Sequence, residues 1–398
     1  MPSAALHRVL LLAAFLPMAA AAAEESAKQP FELVRELQIF QDQSALNAKS
    51  ARAEQREQRD KIAKVAAQLI NFDPKVWADP KNVRAAVIYV LSGGDPRILR
   101  NLAASSAVTG VDERLVKGAL AYSERRDAEA AQLLDGVDVE SLDRSIGGHV
   151  ALVRSMLAAK TDQRKAYALL DRARVIAPGT IVEEAALRRQ AILAAKMGQL
   201  DAFDQLSSQY FRRYATSIFA RSFERQFAQE VVAHNYAVDE KRFVNLEAQL
   251  AGLPEAERRE TSLAIAEDAV AAGNVELVRF AARLAAIDAR ANPLEATRMR
   301  LYEAAALLVT PAYEEAARAL WTIDRSKLGV RDEPLLDAAL AVAREIARPP
   351  ALAPQGGEAE SAQPDAGAKP ADAASAGIIR NAEQAIAQVD GLLNEAPR

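Results

Sequence analysis

Several times along this chain a residue with a capping side chain is followed directly by proline, and this punctuation most constrains the fold. Such pairs include Asp79-Pro80, Asp95-Pro96, Asn292-Pro293 and Thr310-Pro311. In each, the first side chain can accept a hydrogen bond from an orphan N–H of a starting helix. The proline then occupies the first helical position, where its missing N–H costs nothing. Helix ends are marked by Gly93-Gly94, Gly198 and Gly273. Between these marks lie elements of about 10–20 residues, the range of globular helices. Ala, Leu, Glu, Arg and Gln dominate the text, and aromatics are only 5 % of it, which is the composition of a helix former. No sustained alternation of polar and apolar residues occurs. The predicted class is all-α, a chain of helical hairpins joined by short turns.

The hairpins repeat. Ala130, Ala166 and Ala202 stand 36 residues apart, with Leu134, Leu170 and Leu206 four residues after them and Tyr122, Ala158 and Ala194 eight before. Each stretch reads as the end of one helix, a polar turn and the start of the next. A small residue early in the second helix lets the pair approach, and the leucine one turn on fills the groove between hairpins. Ala166, Leu170, Ala173 and Pro178 have the spacing of the second half of a tetratricopeptide repeat. Looser copies fall at Ala266, Val278 and Ala282, and at Ala304, Ala316 and Leu320. The expected architecture is a tetratricopeptide-like helical-hairpin solenoid over residues 76–348, although the consensus Trp and Gly-Tyr positions are mostly missing.

The ends differ from this middle. Residues 1–23 carry His7 and Arg8, an apolar run from Val9 to Ala22 and a small-residue stretch before Glu24-Glu25, the order of a secretory signal peptide. The chain has no cysteine, so a lipid-anchored cysteine and disulfides are both ruled out, and the mature protein is expected free in the periplasm. Roughly 375 residues then remain, enough by length for two domains or one extended array. Residues 24–75 form an N-terminal arm. Phe31, Val34, Leu37 and Phe40 make one apolar stripe and Ile62, Val65 and Leu69 another, whereas Gln41 to Asp60 is nearly all polar apart from Leu46. That stretch is either one long, partly solvated helix or two helices broken near Asn47. Its role is a docking arm or dimerising coiled coil on one reading and a cap for the first repeat on the other. Residues 349–377 are rich in Pro, Ala, Gly and acids, a flexible linker by composition. Within 378–398, Ile378, Ile379, Ala382, Ile386, Val389 and Leu393 return at helical spacing. This short helix either folds back on the repeats or docks on a partner.

The residues for catalysis are missing. His149 and His234 are the only histidines after the signal peptide. His149 follows Gly147-Gly148 and reads as a helix-start residue, and His234 as a packed or surface side chain. Without Cys a structural zinc site is excluded, and there is no P-loop, no Gly-x-Gly-x-x-Gly and no Gly-x-Ser-x-Gly. Ser92-Gly93-Gly94-Asp95-Pro96 lacks the lysine of a phosphate cradle and reads as a helix stop and start. No cofactor is expected. The formal charge of −4 argues against nucleic acid as a partner. The remaining candidate surface is aromatic and basic. Tyr210, Phe211, Tyr214, Phe219, Phe223, Phe227 and Tyr236 crowd one region, with Arg212, Arg213, Arg221 and Arg225 interleaved. The four-residue spacing of Phe219, Phe223 and Phe227 favours core packing. The arginines are left as candidate partner contacts, together with Ile386 and Val389 of the tail.

The text from Phe31 to Gln43, Phe-Glu-Leu-Val-Arg-Glu-Leu-Gln-Ile-Phe-Gln-Asp-Gln, resembles the start of the MotC family of periplasmic motility proteins. The stretch from Asp79 to Pro96, Asp-Pro-Lys-Asn-Val-Arg-Ala-Ala-Val-Ile-Tyr-Val-Leu-Ser-Gly-Gly-Asp-Pro, resembles that family's next characteristic segment. The resemblance implies a flagellar-motor accessory protein that binds the periplasmic part of the stator protein MotB, supports or tunes rotation, and is served by a periplasmic chaperone, MotE. The residues alone leave two other readings open, a periplasmic scaffold for cell-envelope synthesis and a cell-wall lytic enzyme built on a helical superhelix.

Overall fold

The computed structural model describes residues 28–48, 50–105, 110–287 and 289–347. Among them the regular elements are all helical, and the molecule is a set of helical hairpins. In chain order the α-helices are α1 (Pro30–Leu46), α2 (Ala51–Leu69), α3 (Pro80–Leu91), α4 (Arg97–Ala103), α5 (Glu113–Ser123) and α6 (Asp127–Asp135). They continue with α7 (Arg144–Ala158), α8 (Gln163–Ile176), α9 (Ile181–Lys196), α10 (Leu200–Tyr214), α11 (Ala220–Ala233) and α12 (Glu240–Ala251). The last are α13 (Glu255–Ala271), α14 (Val275–Ala285), α15 (Pro293–Leu307), α16 (Tyr313–Trp321) and α17 (Asp332–Ile346). The signal peptide at residues 1–23, the linker at 349–377 and the tail helix at 378–398 lie outside the described residues. So do Ile386 and Val389.

Most of the local punctuation works as its chemistry requires, but Asn292 makes no side-chain cap hydrogen bond ahead of Pro293. Asp79 caps α3 through the N–H of Lys81, with Pro80 at the first helical position. The Asp95 carboxylate accepts from the Arg97 N–H at 2.9 Å at the start of α4. Gly198 and Gly273 end α9 and α13 with φ of +72° and +67°, the left-handed region where a Cβ is penalised. At Thr310-Pro311 the helix starts later: the Thr310 hydroxyl donates to the Leu307 carbonyl at 2.7 Å, and α16 begins at Tyr313. His149 does not start a helix. Asp143 accepts from the Ser145 N–H at 2.9 Å and α7 begins at Arg144, which leaves His149 buried inside it. Gly148 sits within that helix because another segment comes close, and a Cβ there would meet Ala177 at 2.8 Å.

The described residues fall into two compact units. One lies within Met1–Phe40 and Gln58–Ile146, the other within Gln41–Glu57 and Gly147–Arg398. In the first unit α3 is the central rod. Asn82, Val83 and every residue from Ala85 to Val90 are buried, so the helix is covered on more than one side. Leu33, Val34 and Leu37 of α1 and Val65 and Leu69 of α2 add to that core. Helices α4 and α5 pack on α3, and α6 pairs with α5.

In the second unit the hairpins stack in two layers. The odd helices α9, α11, α13, α15 and α17 follow one another, and the even helices α10, α12 and α14 form the adjacent layer. One continuous apolar cluster runs from Leu187 to Ala343. The repeat alanines and leucines lie inside: Ala166, Leu170, Leu206, Ala266, Ala316 and Leu320 are all buried.

The polar stretch between the two apolar stripes of the arm breaks after Leu46, as one of the two readings held, and its part Gln41–Glu57 belongs to the second unit. Its groups are matched one for one by the turn between α10 and α11. The Ile218 N–H donates to the Ser44 carbonyl at 3.3 Å and the Thr216 hydroxyl to the Leu46 carbonyl at 3.2 Å. The Ala48 N–H and the Gln55 amide donate back, to the carbonyls of Thr216 (3.2 Å) and Ile218 (3.0 Å). Orphan carbonyls at the end of α1 thereby find donors, which a helix terminus needs when it is covered. Asp42 accepts from the Ile181 N–H at 2.8 Å, so the first N–H of α9 is satisfied from α1. Burial pushes the Asp42 carboxyl up, and that hydrogen bond pulls it partly back.

Candidate partner-binding surface

The aromatic crowd is core, as its spacing argued. Tyr210, Phe211, Tyr214, Phe223, Phe227 and Tyr236 are buried, with the Tyr210 and Phe223 ring centres 4.1 Å apart. Phe219 is half-buried beneath the guanidinium of Arg188. Such a core must satisfy three phenol hydroxyls, and it does so with carboxylates. Tyr210 donates to Glu184 at 2.8 Å, Tyr214 to Glu183 at 2.9 Å and Tyr236 to Asp204 at 2.8 Å. Each acid also meets an arginine: Glu184 with Arg188 at 3.1 Å, Glu183 with Arg213, and Asp204 with Arg242 at 3.2 Å. Tyr302, Asp332 and Arg298 repeat the device further along, with Tyr302 donating to Asp332 at 2.5 Å and Arg298 reaching Asp332 at 3.1 Å. Burial, then the neighbouring carboxylate, pushes the Tyr210 hydroxyl far up. The same pair of causes raises Tyr236, so both stay neutral donors at any physiological pH.

These networks decide where the four candidate arginines go. Arg213 leans toward Glu183, its guanidinium 5.4 Å from the Tyr214 ring centre. Arg221 reaches Glu260 of α13 at 3.1 Å. Arg212 and Arg225 are exposed and have no ion pair with another described residue. The four therefore do not converge. Arg212 and Arg213 lie on the even-layer helix α10, whereas Arg221 and Arg225 lie on the odd-layer helix α11.

Arg212 is the one that borders a cavity. A groove of about 450 Å³ opens between α10 and α12. Phe211 and Leu253 supply buried apolar surface, and Gln205, Ser208, Arg212, Asn245 and Gln249 supply polar groups. Gln249 Oε1 is buried there without a donor among the described residues. An apolar floor beside amide and guanidinium groups suits a peptide segment, whose side chain takes the floor and whose main chain takes the amides. Periodicity finds Phe211 but not Asn245 and Gln249, since polar residues on an exposed helix face look alike in sequence whether or not a groove lies beside them.

A second polar group sits between α11 and α13. Glu224 is buried, and its carboxyl is pushed up to about 8, first by burial and then by Glu260, with Arg221 opposing. Asp268 is raised to about 6 by burial and Glu267, with Arg225 opposing. Among the described residues no group of three or more His, Asp or Glu is arranged to hold a metal, and no helix is long and apolar enough to cross a membrane.

Comparison with known proteins adds the family. The family model for the chemotaxis protein MotC matches residues 1–398. The chain belongs to the MotC family. The chemotaxis protein MotC of Rhizobium meliloti (strain 1021) is 34 % identical over 325 residues, which cover 81 % of this chain and 73 % of that protein. No solved structure matches. The resemblance read from Phe31–Gln43 and Asp79–Pro96 is thus that of the whole chain. MotC-family membership gives chemotaxis and motility as this chain's setting.

Proposed function

We propose that this MotC-family chain is exported to the periplasm. There it serves the flagellar motor as an accessory protein that grips the periplasmic part of the stator protein MotB and tunes rotation. It acts by binding and makes or breaks no bond. The observation that carries the reading is the α10–α12 groove, with its apolar floor, its free amide oxygen on Gln249 and the exposed guanidinium of Arg212 at its edge. The order of residues 1–23 supports export, and the family supports the motor as the setting. A dedicated chaperone of the MotE kind belongs to the same reading.

Titrating the purified mature chain against the periplasmic domain of MotB from the same source tests it. Saturable binding with Kd near or below 1 μM, about −8 kcal/mol, is expected. Arg212→Ala is expected to weaken it roughly tenfold, the size of a modest interface contact. A folded, monodisperse chain that does not bind overturns the partner assignment. Equal binding by Arg212→Ala moves the contact away from the groove.

A further inference from the structure

The odd-layer helices inside the stack are covered on several sides. In α9 the buried residues run Val182, Glu183, Glu184, Ala186, Leu187 and then Gln190 through Ala195, right around the helix. In α15 they include Leu301, Tyr302, Ala304 and Ala306. Each is followed by a helix that packs on it, α10 and α16 respectively. α17 is different. It packs on α15 and α16 and buries one stripe, Leu336, Ala339, Leu340 and Ala343. Beside that stripe runs a second apolar one. Leu335 and Val342 are half-buried with one side resting on the same core, Ala338 is half-buried, and Ile346 is 41 % exposed. Among the described residues no even-layer helix follows α17.

The sequence carries a segment fitted to that face. Ile379, Ala382, Ile386, Val389 and Leu393 recur at alternating intervals of three and four residues, the spacing of a helix that offers one apolar seam. Leu335, Ala338, Val342 and Ile346 follow at three, four and four, so two such seams can interlock along their length. Residues 378–393 are close in length to α10, which holds 15 residues. The stretch joining them to α17, residues 348–377, is rich in Gly, Ala and Pro. A Gly-rich coil of that length would have a root-mean-square span of about 30 Å. That exceeds the roughly 22 Å length of a 15-residue helix such as α17, so a return to α17 is within reach. The tether also sets an effective concentration in the millimolar range, which favours a segment of the same chain over a free partner of equal affinity.

We infer that residues 378–393 dock on the outer stripe of α17 in the same chain, as the even-layer helix that completes the last hairpin. The absence of cysteine from the chain makes the test clean. In the full-length protein, Val342→Cys is paired with Ile386→Cys and treated with a short thiol-reactive cross-linker. The control pairs Ile386→Cys with Val175→Cys, at a position on α8 that is 64 % exposed. The first pair is expected to cross-link within one chain, at a rate independent of protein concentration and roughly tenfold above the control. Hydrogen exchange in the otherwise unaltered full chain is expected to show residues 378–393 slowed at least roughly tenfold. Ile386→Asp with Val389→Asp is expected to abolish that protection. Unprotected tail amides, equal reaction with Val175→Cys, or cross-links that form between two chains in proportion to concentration each overturn the inference.

Discussion

Two well-buried helices handle their polar groups in opposite ways. α3, in the first unit, keeps them neutral. Asn82 accepts from the Phe31 N–H at 3.2 Å and donates to the Val76 carbonyl at 2.9 Å. Tyr89 donates to the Ile62 carbonyl at 3.1 Å and accepts from the Asp95 N–H at 3.1 Å. α9, in the second unit, buries two adjacent acids, Glu183 and Glu184, and meets them with Tyr214, Tyr210, Arg213 and Arg188. The Gly179 N–H also donates to Glu183 at 2.5 Å. A neutral network loses one hydrogen bond when a member is removed. An ionic one strands a charge away from water, so it tolerates only the complete set. The first way makes a forgiving core, the second a core with one permitted register.

The largest expected difference comes from breaking the ionic set. Glu184→Ala leaves the Arg188 charge and the Tyr210 hydroxyl unmatched, and it is expected to cost about 3–5 kcal/mol in urea unfolding followed by circular dichroism. A loss below about 1 kcal/mol would erase the contrast with α3. Next in size is Glu224→Gln, which acts in the opposite direction. The raised Glu224 carboxyl contributes stability in its protonated form, present below the ordinary carboxylate range near 4.5 and lost as pH rises toward about 8. The parent chain should therefore weaken over that window. The variant is expected to be more stable by about 3 kcal/mol at pH 8 and near parity at pH 4, measured as the shift in unfolding midpoint at both pH values. Asn82→Ala, the α3 counterpart of the first test, is expected to cost about 2 kcal/mol. A cost equal to that of Glu184→Ala would show that charge is not what separates the two helices. Smallest is Arg225→Ala, at an exposed position without an ion pair, where stability should move by less than about 0.5 kcal/mol. A larger change would mean that its field on Asp268 matters to the α11–α13 packing.

Much of the local architecture is legible because its causes are local. Asp79-Pro80, Gly198 and Gly273 act within a single turn, and the helices start and stop where they stand. The repeat alanines and leucines state which faces meet, because small residues and one-turn spacing are properties of neighbouring positions. The polar stretch from Gln41 to Asp60 is the reverse case. Its polarity looked like solvation, yet Gln41, Ser44 and Ala45 are buried. Its partners are Ile181, Thr216 and Ile218, at least 139 residues away in the chain. Nothing local in either segment announces the other. Gly147-Gly148 misled for a related reason: glycine looked like a helix boundary, and what Gly148 provides is room for Ala177.

The sequence by itself determined the helical class, many of the helix ends, the spacing of the hairpins and the family, since each is written in residues a few positions apart or in continuous text. Only the tertiary structure decided which arginines are committed to buried acids and which, like Arg212, are left beside a groove. It alone decided that the groove lies between α10 and α12, and that α17 carries a half-buried apolar stripe beside its buried one. An amphipathic helix specifies that it must bury a face. The identity of the surface it meets depends on residues far away in the chain, and that information exists only once the hairpins have stacked.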